Sequence, residues 1–216
     1  MAAGTENTVS DGSTYSDTSE DAPDAAIYVK NDLTINGSGS LTLTGNSQSA
    51  LKVKDNLVIL AGTLDITAAD KGIKGSDSVA IEDGNLTISA KDDAITTEGA
   101  LSFYNGNLFI KESAEGMEGV QVLIAGGNID ITSSDDGINA RGLLEETAPR
   151  EVLPAIEEAV PREALLETAE AVPPAMVVPA SPDRGNNNRR LSFNLTKKDL
   201  SLTIIMIPSL YKKGKC

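Results

Sequence analysis

Residues 70–95 read DKGIKGSDSVAIEDGNLTISAKDDAI, and they contain one full copy of the repeat on which the chain is built. Ile73 and Ile95 occupy the same place in successive copies. That apolar position recurs, at steps of 22, 22, 22 and 21 residues, at Leu51, Ile73, Ile95, Met117 and Ile138. Self-similarity at such a period is the signature of a solenoid, in which each repeat stacks on the next.

Each repeat holds three short segments in which apolar residues alternate with other residues. This period of two indicates strands with one buried face. The second segment carries the pairs Leu57/Ile59, Val79/Ile81, Leu101/Phe103 and Val122/Ile124. The third carries Leu64/Ile66, Leu86/Ile88, Leu108/Ile110 and Ile129/Ile131. Stacked copies pair through parallel hydrogen bonds about 4.8 Å apart. The pattern predicts an all-β, right-handed parallel β-helix with about 22 residues per turn, because left-handed coils use shorter hexapeptide steps.

A glycine separates the second and third segments, and we expect it to adopt a positive φ at a tight corner. The four glycines are Gly62, Gly84, Gly106 and Gly127. Asparagine follows three of them, which predicts an internal ladder of stacked amides. Its members are Asn85, Asn107 and Asn128, and Thr63 takes the place of asparagine in the first copy.

The repeat divides the chain into three parts. Residues 1–24 are polar and are predicted to be a loop or the remnant of an earlier turn, which would leave the first strands as an uncapped edge. Residues 25–140 form the predicted parallel β-helix. Residues 141–216 form a non-repetitive, low-complexity tail that we expect to be disordered, although its basic end could add one strand.

The tail has two interpretations. Its Glu, Ala, Val and Pro content fits a solvated linker or weak helix that prolines interrupt. Alternatively, glycine codons read one base late encode Glu, Ala, Val or Gly, so the tail could be a frameshifted glycine-rich segment.

Composition excludes several functions. The net charge of −14 argues against nucleic acid and favours divalent cations. The chain has no histidine and a single cysteine, Cys216, which excludes histidine-based catalysis, an intrachain disulfide and thiolate metal clusters. The N-terminal residues lack the pattern of a signal peptide, and no apolar run has the length of a membrane span.

Acidic residues recur in the turn before each stacked aliphatic residue. The turns read DKGI, DDAI, AEGM and DDGI, with Lys71 and Ala114 in two of the acidic positions. Carboxylates spaced about 4.8 Å apart can share Ca²⁺, which takes six to eight oxygen ligands. The predicted metal ligands are Asp70, Asp92, Asp93, Glu115, Asp135 and Asp136. The alternative is ordinary turn chemistry, in which outward acids keep a repetitive sheet soluble.

One column of outward residues carries hydroxyl, carboxylate and aromatic groups, which are typical of sugar-binding surfaces. Asp65, Thr87, Phe109 and Asp130 share a strand position, and Phe109 and Tyr104 are the nearby aromatic side chains. This pattern alone is weak, because single exposed aromatics are common.

Three stretches resemble a bacterial extracellular carbohydrate-binding domain family with a pectate-lyase-like right-handed β-helix. They are AAIYVKNDLTINGSGSLTLTG, DKGIKGSDSVAIEDGNLTISA and EGMEGVQVLIAGGNIDITSSDDGINA, and the resemblance covers residues 5–140. It implies calcium binding, association with cell-wall polysaccharides such as acidic pectins and cellulose, no established catalytic role, and an extracellular or cell-surface location.

We therefore expect a non-catalytic, calcium-dependent polysaccharide-binding module whose partner is polygalacturonate or cellulose. One alternative is a polysaccharide lyase that uses calcium and a lysine base. Lys71 and Lys74 lie near the acidic turns, and Lys52 and Lys54 lie one turn earlier. The other alternative is a structural stalk with no ligand, since fold alone does not assign function.

Overall fold

The computed structural model describes residues 1–17, 19 and 22–142, together with the backbone of two later strands. Apart from those strands and residues 141 and 142, the predicted C-terminal tail lies outside the described residues. No helix within the described part of the chain is long and apolar enough to cross a membrane.

The described residues form short strands that follow one another around a coil. The first nine are β1 (Glu6–Ser10), β2 (Ala25–Val29), β3 (Leu33–Ile35), β4 (Ser40–Gly45), β5 (Ser49–Val53), β6 (Asn56–Ile59), β7 (Thr63–Ala68), β8 (Ile73–Gly75) and β9 (Ser78–Ile81). The rest are β10 (Asn85–Ala90), β11 (Ile95–Thr97), β12 (Ala100–Phe103), β13 (Asn107–Glu112), β14 (Met117–Gly119), β15 (Gln121–Ile124), β16 (Gly127–Ser133), β17 (Ile138–Ala140), β18 (Arg189–Leu195) and β19 (Ile204–Met206).

Each of the strands β1 to β14 pairs with the strand three positions later in the chain, and this pairing produces three sheets. Sheet A has the order β1-β4-β7-β10-β13-β16-β18, sheet B the order β2-β5-β8-β11-β14-β17, and sheet C the order β3-β6-β9-β12-β15-β19. All pairs among β1 to β17 are parallel. The chain is thus a parallel β-helix of about five turns with about 22 residues per turn, as the repeat predicts.

The pairing registers match the repeat residue by residue. Leu51 pairs with Ile73, Ile73 with Ile95, Ile95 with Met117, and Met117 with Ile138. The aliphatic pairs of sheets A and C are aligned in the same way. These side chains point inward and form one continuous core with Phe103. Full burial of each such side chain contributes about 1.5–3 kcal/mol, so aliphatic stacking supplies most of the stability.

The corner glycines behave as the sequence predicts. Their φ angles are 119°, 129°, 99° and 83° at Gly62, Gly84, Gly106 and Gly127. A Cβ added at Gly106 would lie 2.3 Å from the carbonyl oxygen of Gly84, so the corner also needs close backbone contact between turns.

The amide ladder exists, but the prediction that it is internal is wrong. Asn107 Nδ2 donates to Asn85 Oδ1 at 2.6 Å, and Asn128 Nδ2 donates to Asn107 Oδ1 at 2.7 Å. All three asparagines are exposed. Each directly precedes an inward aliphatic residue, and strand alternation therefore directs the amide outward.

Both ends of the coil differ from simple repetition. The segment expected to be a loop or remnant contains β1, which pairs in parallel with β4. At the other end, β18 pairs antiparallel with β16, and β19 pairs antiparallel with β15. The basic C-terminal segment, which was expected to be disordered or to add one strand, therefore contributes two strands.

We predict that Ile88→Ala lowers the free energy of unfolding by about 2–5 kcal/mol, because it leaves a cavity where Ile88 stacks between Ile66 and Ile110. The outward neighbour provides the control, and Ser89→Ala should change stability by less than about 0.5 kcal/mol. Urea unfolding followed by circular dichroism measures both. Equal midpoints for the two variants would contradict a core of stacked aliphatics.

Candidate functional site

The turns that lead into sheet B place the acidic residues in two adjacent columns. Backbone bonds align the first column: the N–H of Asp92 donates to the carbonyl of Asp70 at 3.2 Å, and those of Ala114 and Asp135 continue the series at 2.9 and 3.0 Å. The second column contains Lys71, Asp93, Glu115 and Asp136. Turns that recur in the sequence are therefore aligned with one another along the coil.

Three carboxylates converge on the outer side of sheet B. Asp93 precedes β11, Glu115 precedes β14, and Glu118 lies on β14. One oxygen from each lies within 4.8 Å of the others. Asp93 is only 6% exposed, while both glutamates are partly buried. We call these three residues the carboxylate cluster.

Polar side chains surround the cluster. Lys71 Nζ donates to Asp93 Oδ2 at 2.6 Å, and Asn139 Nδ2 donates to Glu115 Oε2 at 3.0 Å. Thr96 Oγ1 donates to Glu118 Oε2 at 2.8 Å. The cluster is thus held in place by contacts from at least three successive turns.

Arg141 reaches back to the cluster from beyond the last full repeat. Its Nε lies 2.9 Å from Glu118 Oε1, and its Nη2 donates to the carbonyl oxygen of Thr97 at 2.9 Å. This guanidinium neutralises part of the charge on Glu118 and ties residue 141 to β11. The position was not identified from the sequence, because it follows the point at which the repeat stops.

Burial and like charge raise the pKa values of the acids. Burial is the main cause that raises the pKa of Glu115 to about 7; Glu118 and Asp93 add to it, and the Asn139 hydrogen bond opposes it. Burial also raises the pKa of Asp93, although Lys71 opposes that shift. Burial alone would lower the pKa of Lys71, but its bonds to Asp92 and Asp93 raise it above the ordinary value. Burial and the neighbouring carboxylates thus favour the protonated form of Glu115 below about pH 7.

The structure brings together two of the six predicted metal ligands, Asp93 and Glu115. The remaining four lie outside the cluster. Asp92 contacts Lys71, Asp70 accepts a hydrogen bond from Ser49 Oγ at 3.3 Å, and Asp135 is exposed. Asp136 occupies the position after Asp135 and is partly buried.

Glu118 was not among the predicted ligands, because it lies on a strand and the predicted ligands all lie in the acidic turns. Glu118 follows Glu115 by three residues, and this spacing indicates that it lies close to the turn. Met117 faces the core at 0% exposure, so its neighbour Glu118 must face outward beside the turn.

Residues 1–141 match the family model described as carbohydrate-binding domain-containing protein. The chain belongs to this carbohydrate-binding domain family. A carbohydrate-binding domain-containing protein from Acetivibrio thermocellus is 32% identical over 70 residues, which are 32% of this chain and 24% of that protein.

A solved relative has the same architecture. It is described as the polysaccharide lyase-like protein from C. thermocellum, gadolinium derivative, with a TM-score of 0.59 and 26% sequence identity. The match covers 66% of this chain and 61% of that one. This chain therefore spans about a quarter of the length of the Acetivibrio thermocellus protein and about three fifths of the length of the solved relative.

The raised pKa of Glu115 predicts a pH-dependent stability in the absence of metal. The folded protein keeps this proton up to about pH 7, whereas the unfolded chain releases it near pH 4.5. The native state thus binds more protons between these values, and stability falls as pH rises through that range. Glu115→Gln should remove about 1–2 kcal/mol of this fall, less than the full shift implies because the carboxylate is partly solvated.

Urea unfolding at pH 5 and pH 8 in a chelator measures the effect. The exposed acid Asp65 is the matched control, and Asp65→Asn should keep the wild-type pH dependence. If Glu115→Gln and wild type lose equal stability between these pH values, the carboxylates are not crowded as described.

Proposed function

We propose that this carbohydrate-binding domain binds acidic cell-wall polysaccharide without cleaving it, through Ca²⁺ held at the carboxylate cluster, and that it acts outside the cell or on its surface. The observation that carries the proposal is the convergence of Asp93, Glu115 and Glu118 within 4.8 Å. Membership of the carbohydrate-binding domain family supports the polysaccharide partner.

The donor set suits a hard cation. Ca²⁺ prefers carboxylate, carbonyl and hydroxyl oxygens, and it accepts irregular geometry. The cluster offers three carboxylates, with the Thr96 hydroxyl and the Asn139 amide beside them. Burial, together with Glu118 and Asp93, raises the pKa of Glu115, and a bound divalent cation would favour its ionised form. The solved relative is described as a gadolinium derivative, and Gd³⁺ is likewise a hard cation that prefers oxygen ligands.

Charge determines the role that the cation would have. A chain of net charge −14 repels a uronic-acid polymer, which is a polyanion. Bound Ca²⁺ would supply the positive charge between them, with a sugar carboxylate as one of its oxygen ligands. Asp93, Glu115 and Glu118 would hold the ion, while Lys71 and Arg141 limit the local excess of negative charge.

The surroundings of the basic residues favour binding over lyase chemistry. A lyase needs a base that is unprotonated when it meets the substrate. Lys71 is held by Asp92 and Asp93, which raise its pKa, and Lys74 lies 3.6 Å from Glu98. The guanidinium of Arg141 is bonded to Glu118 and to the Thr97 carbonyl. Each of these three cations lies beside an acidic partner.

Retention of the full chain on immobilised polygalacturonate tests the proposal. We expect retention in Ca²⁺, loss of retention in a chelator, and no unsaturated product in the eluate. Product formation would instead establish a lyase, with Lys71 and Lys74 as first candidates. Absence of retention in both conditions would favour a structural stalk.

We predict that Glu118→Gln weakens Ca²⁺-dependent retention by about tenfold, which corresponds to about 1.4 kcal/mol. The amide keeps an acceptor for Thr96 but removes one anionic ligand. Asp65→Asn, which removes an exposed acid from sheet A, should bind like wild type. Calorimetric Ca²⁺ titration gives a second readout, and equal affinities for Glu118→Gln and wild type would remove Glu118 from the site.

A further inference from the structure

A small polar cavity lies at the end of sheet A, where the strands lead into the acidic turns. It has a volume of about 220 Å³ and opens to solvent. Residues from three successive turns line it: Ala90, Lys91, Glu112, Ser113, Thr132, Ser133 and Ser134. We call this cavity the serine pocket. None of its lining residues belongs to the carboxylate cluster on sheet B.

An interruption of the strand pairing accompanies the serine pocket. The register between β10 and β13 shifts after Ile88, because Ser89 pairs with Glu112 and leaves Lys111 as an extra residue. The residue-by-residue pairing of β13 with β16 ends at Ile131, two residues before β16 itself ends. Bulges of this kind are over-represented next to functional sites, because they redirect side chains and end strand pairing.

Two buried serines form the inner wall of the pocket. In earlier turns the inward side of sheet A ends in small residues, since Gly45 pairs with Ala68 and Ala68 with Ala90. Ser113 and Ser133 are the buried residues that follow, at 7% and 1% exposure, and neither hydroxyl has a hydrogen-bond partner among the described residues. Burial of an unbonded hydroxyl is costly, so two of them in one cavity point to a bound molecule that satisfies them.

The groups that line the pocket are rich in hydrogen-bond donors. Lys91 Nζ donates to Glu112 Oε1 at 3.0 Å at the exposed mouth of the pocket. An ammonium group has three donors, so this bond leaves two of them, and the same bond neutralises Glu112. The hydroxyls of Ser113 and Ser133 add donors from the interior. Donors that converge from three turns suit a tetrahedral oxyanion, which accepts several hydrogen bonds at once.

Charged residues of both signs surround the pocket. The acids in the turns that follow are Asp92, Asp93, Glu115, Asp135 and Asp136. Lys71 pairs with the first two of these acids. On the basic side, Lys111 is the bulge residue, and the pairing of β18 with β16 sets Arg189 opposite Ser133 and Arg190 opposite Thr132. The net charge of the chain opposes an anion, so recognition depends on hydrogen bonds from neutral hydroxyls, which add no charge of their own.

We infer that the serine pocket binds a tetrahedral oxyanion, phosphate or sulfate, either as a free ion or as an ester group on a polymer. Ser113 and Ser133 donate to it from the inner wall, and Lys91 donates from the mouth. The inference goes beyond the proposed calcium-dependent function and does not depend on it, because the pocket and the carboxylate cluster share no residue.

Calorimetric titration of the full chain with inorganic phosphate in a chelator tests the pocket. We expect saturable binding, and Ser133→Ala should weaken it at least about fivefold, because a hydrogen bond to a charged group is lost. Lys91→Gln should weaken it as well. Lys30→Gln removes the same charge at an exposed position between β2 and β3, and it should bind phosphate like wild type.

Stability measurements separate loss of a ligand contact from loss of the fold. Ser133→Ala removes a buried hydroxyl that has no partner among the described residues, so its urea midpoint in phosphate-free buffer should equal or exceed that of wild type. The matched control is Ser49→Ala, another buried serine, which loses its hydrogen bond to Asp70. Ser49→Ala should lower the midpoint and leave the phosphate affinity unchanged.

Retention on dextran sulfate, compared with unsulfated dextran, distinguishes the two sources of the oxyanion. Serine-dependent binding of inorganic phosphate alone would assign the pocket to a free ion, and serine-dependent retention on dextran sulfate would assign it to an ester group on a polymer. Binding of neither probe, or binding that Ser133→Ala and Lys91→Gln leave unchanged, would overturn the inference and leave ordered water as the occupant of the pocket.

Discussion

Parallel pairing between equivalent residues of successive turns is the constraint on which the structure depends. Each turn pairs with the next in register along three sheets, so one inward position generates a continuous stack through the core. Because strands of three to seven residues are too short to be stable alone, each turn gains its burial and its backbone hydrogen bonds from the turns beside it. The same pairing fixes what faces outward, since every inward aliphatic residue places its neighbours on the surface.

The functional surfaces follow from this register. A side chain that recurs once per turn becomes a column with a spacing of about 4.8 Å, whether it is an acid, an amide or a hydroxyl. The carboxylate cluster forms where two such columns and one strand position meet. Its neighbours come from several turns, so Lys71, Thr96, Asn139 and Arg141 act together although they are distant in sequence. These contacts from several turns hold the three carboxylates close together.

Most of the fold could be predicted from the sequence, because the repeat encodes both strand positions and register. The aliphatic stacks and the corner glycines agree with the structure residue by residue. The asparagines were placed on the wrong side because stacking was considered without the inward position of the residue that follows each of them. The site was harder to predict, since Glu118 and Arg141 belong to no recurring turn, and only three-dimensional proximity connects them to Asp93 and Glu115. The antiparallel strands had no signal in the repeat at all.

The reversal of strand direction at β18 and β19 gives the coil two unlike ends. At the β1 to β3 end, all three edges run in the direction that a further parallel turn would need. At the opposite end, sheets A and C end in the antiparallel strands β18 and β19. Only sheet B ends in a strand that runs parallel to the others, the short β17. A second coil stacked there would therefore pair with strands of both directions, whereas at the β1 to β3 end it would meet strands of one direction only. The two ends of the coil thus differ in the kind of strand pairing that they offer.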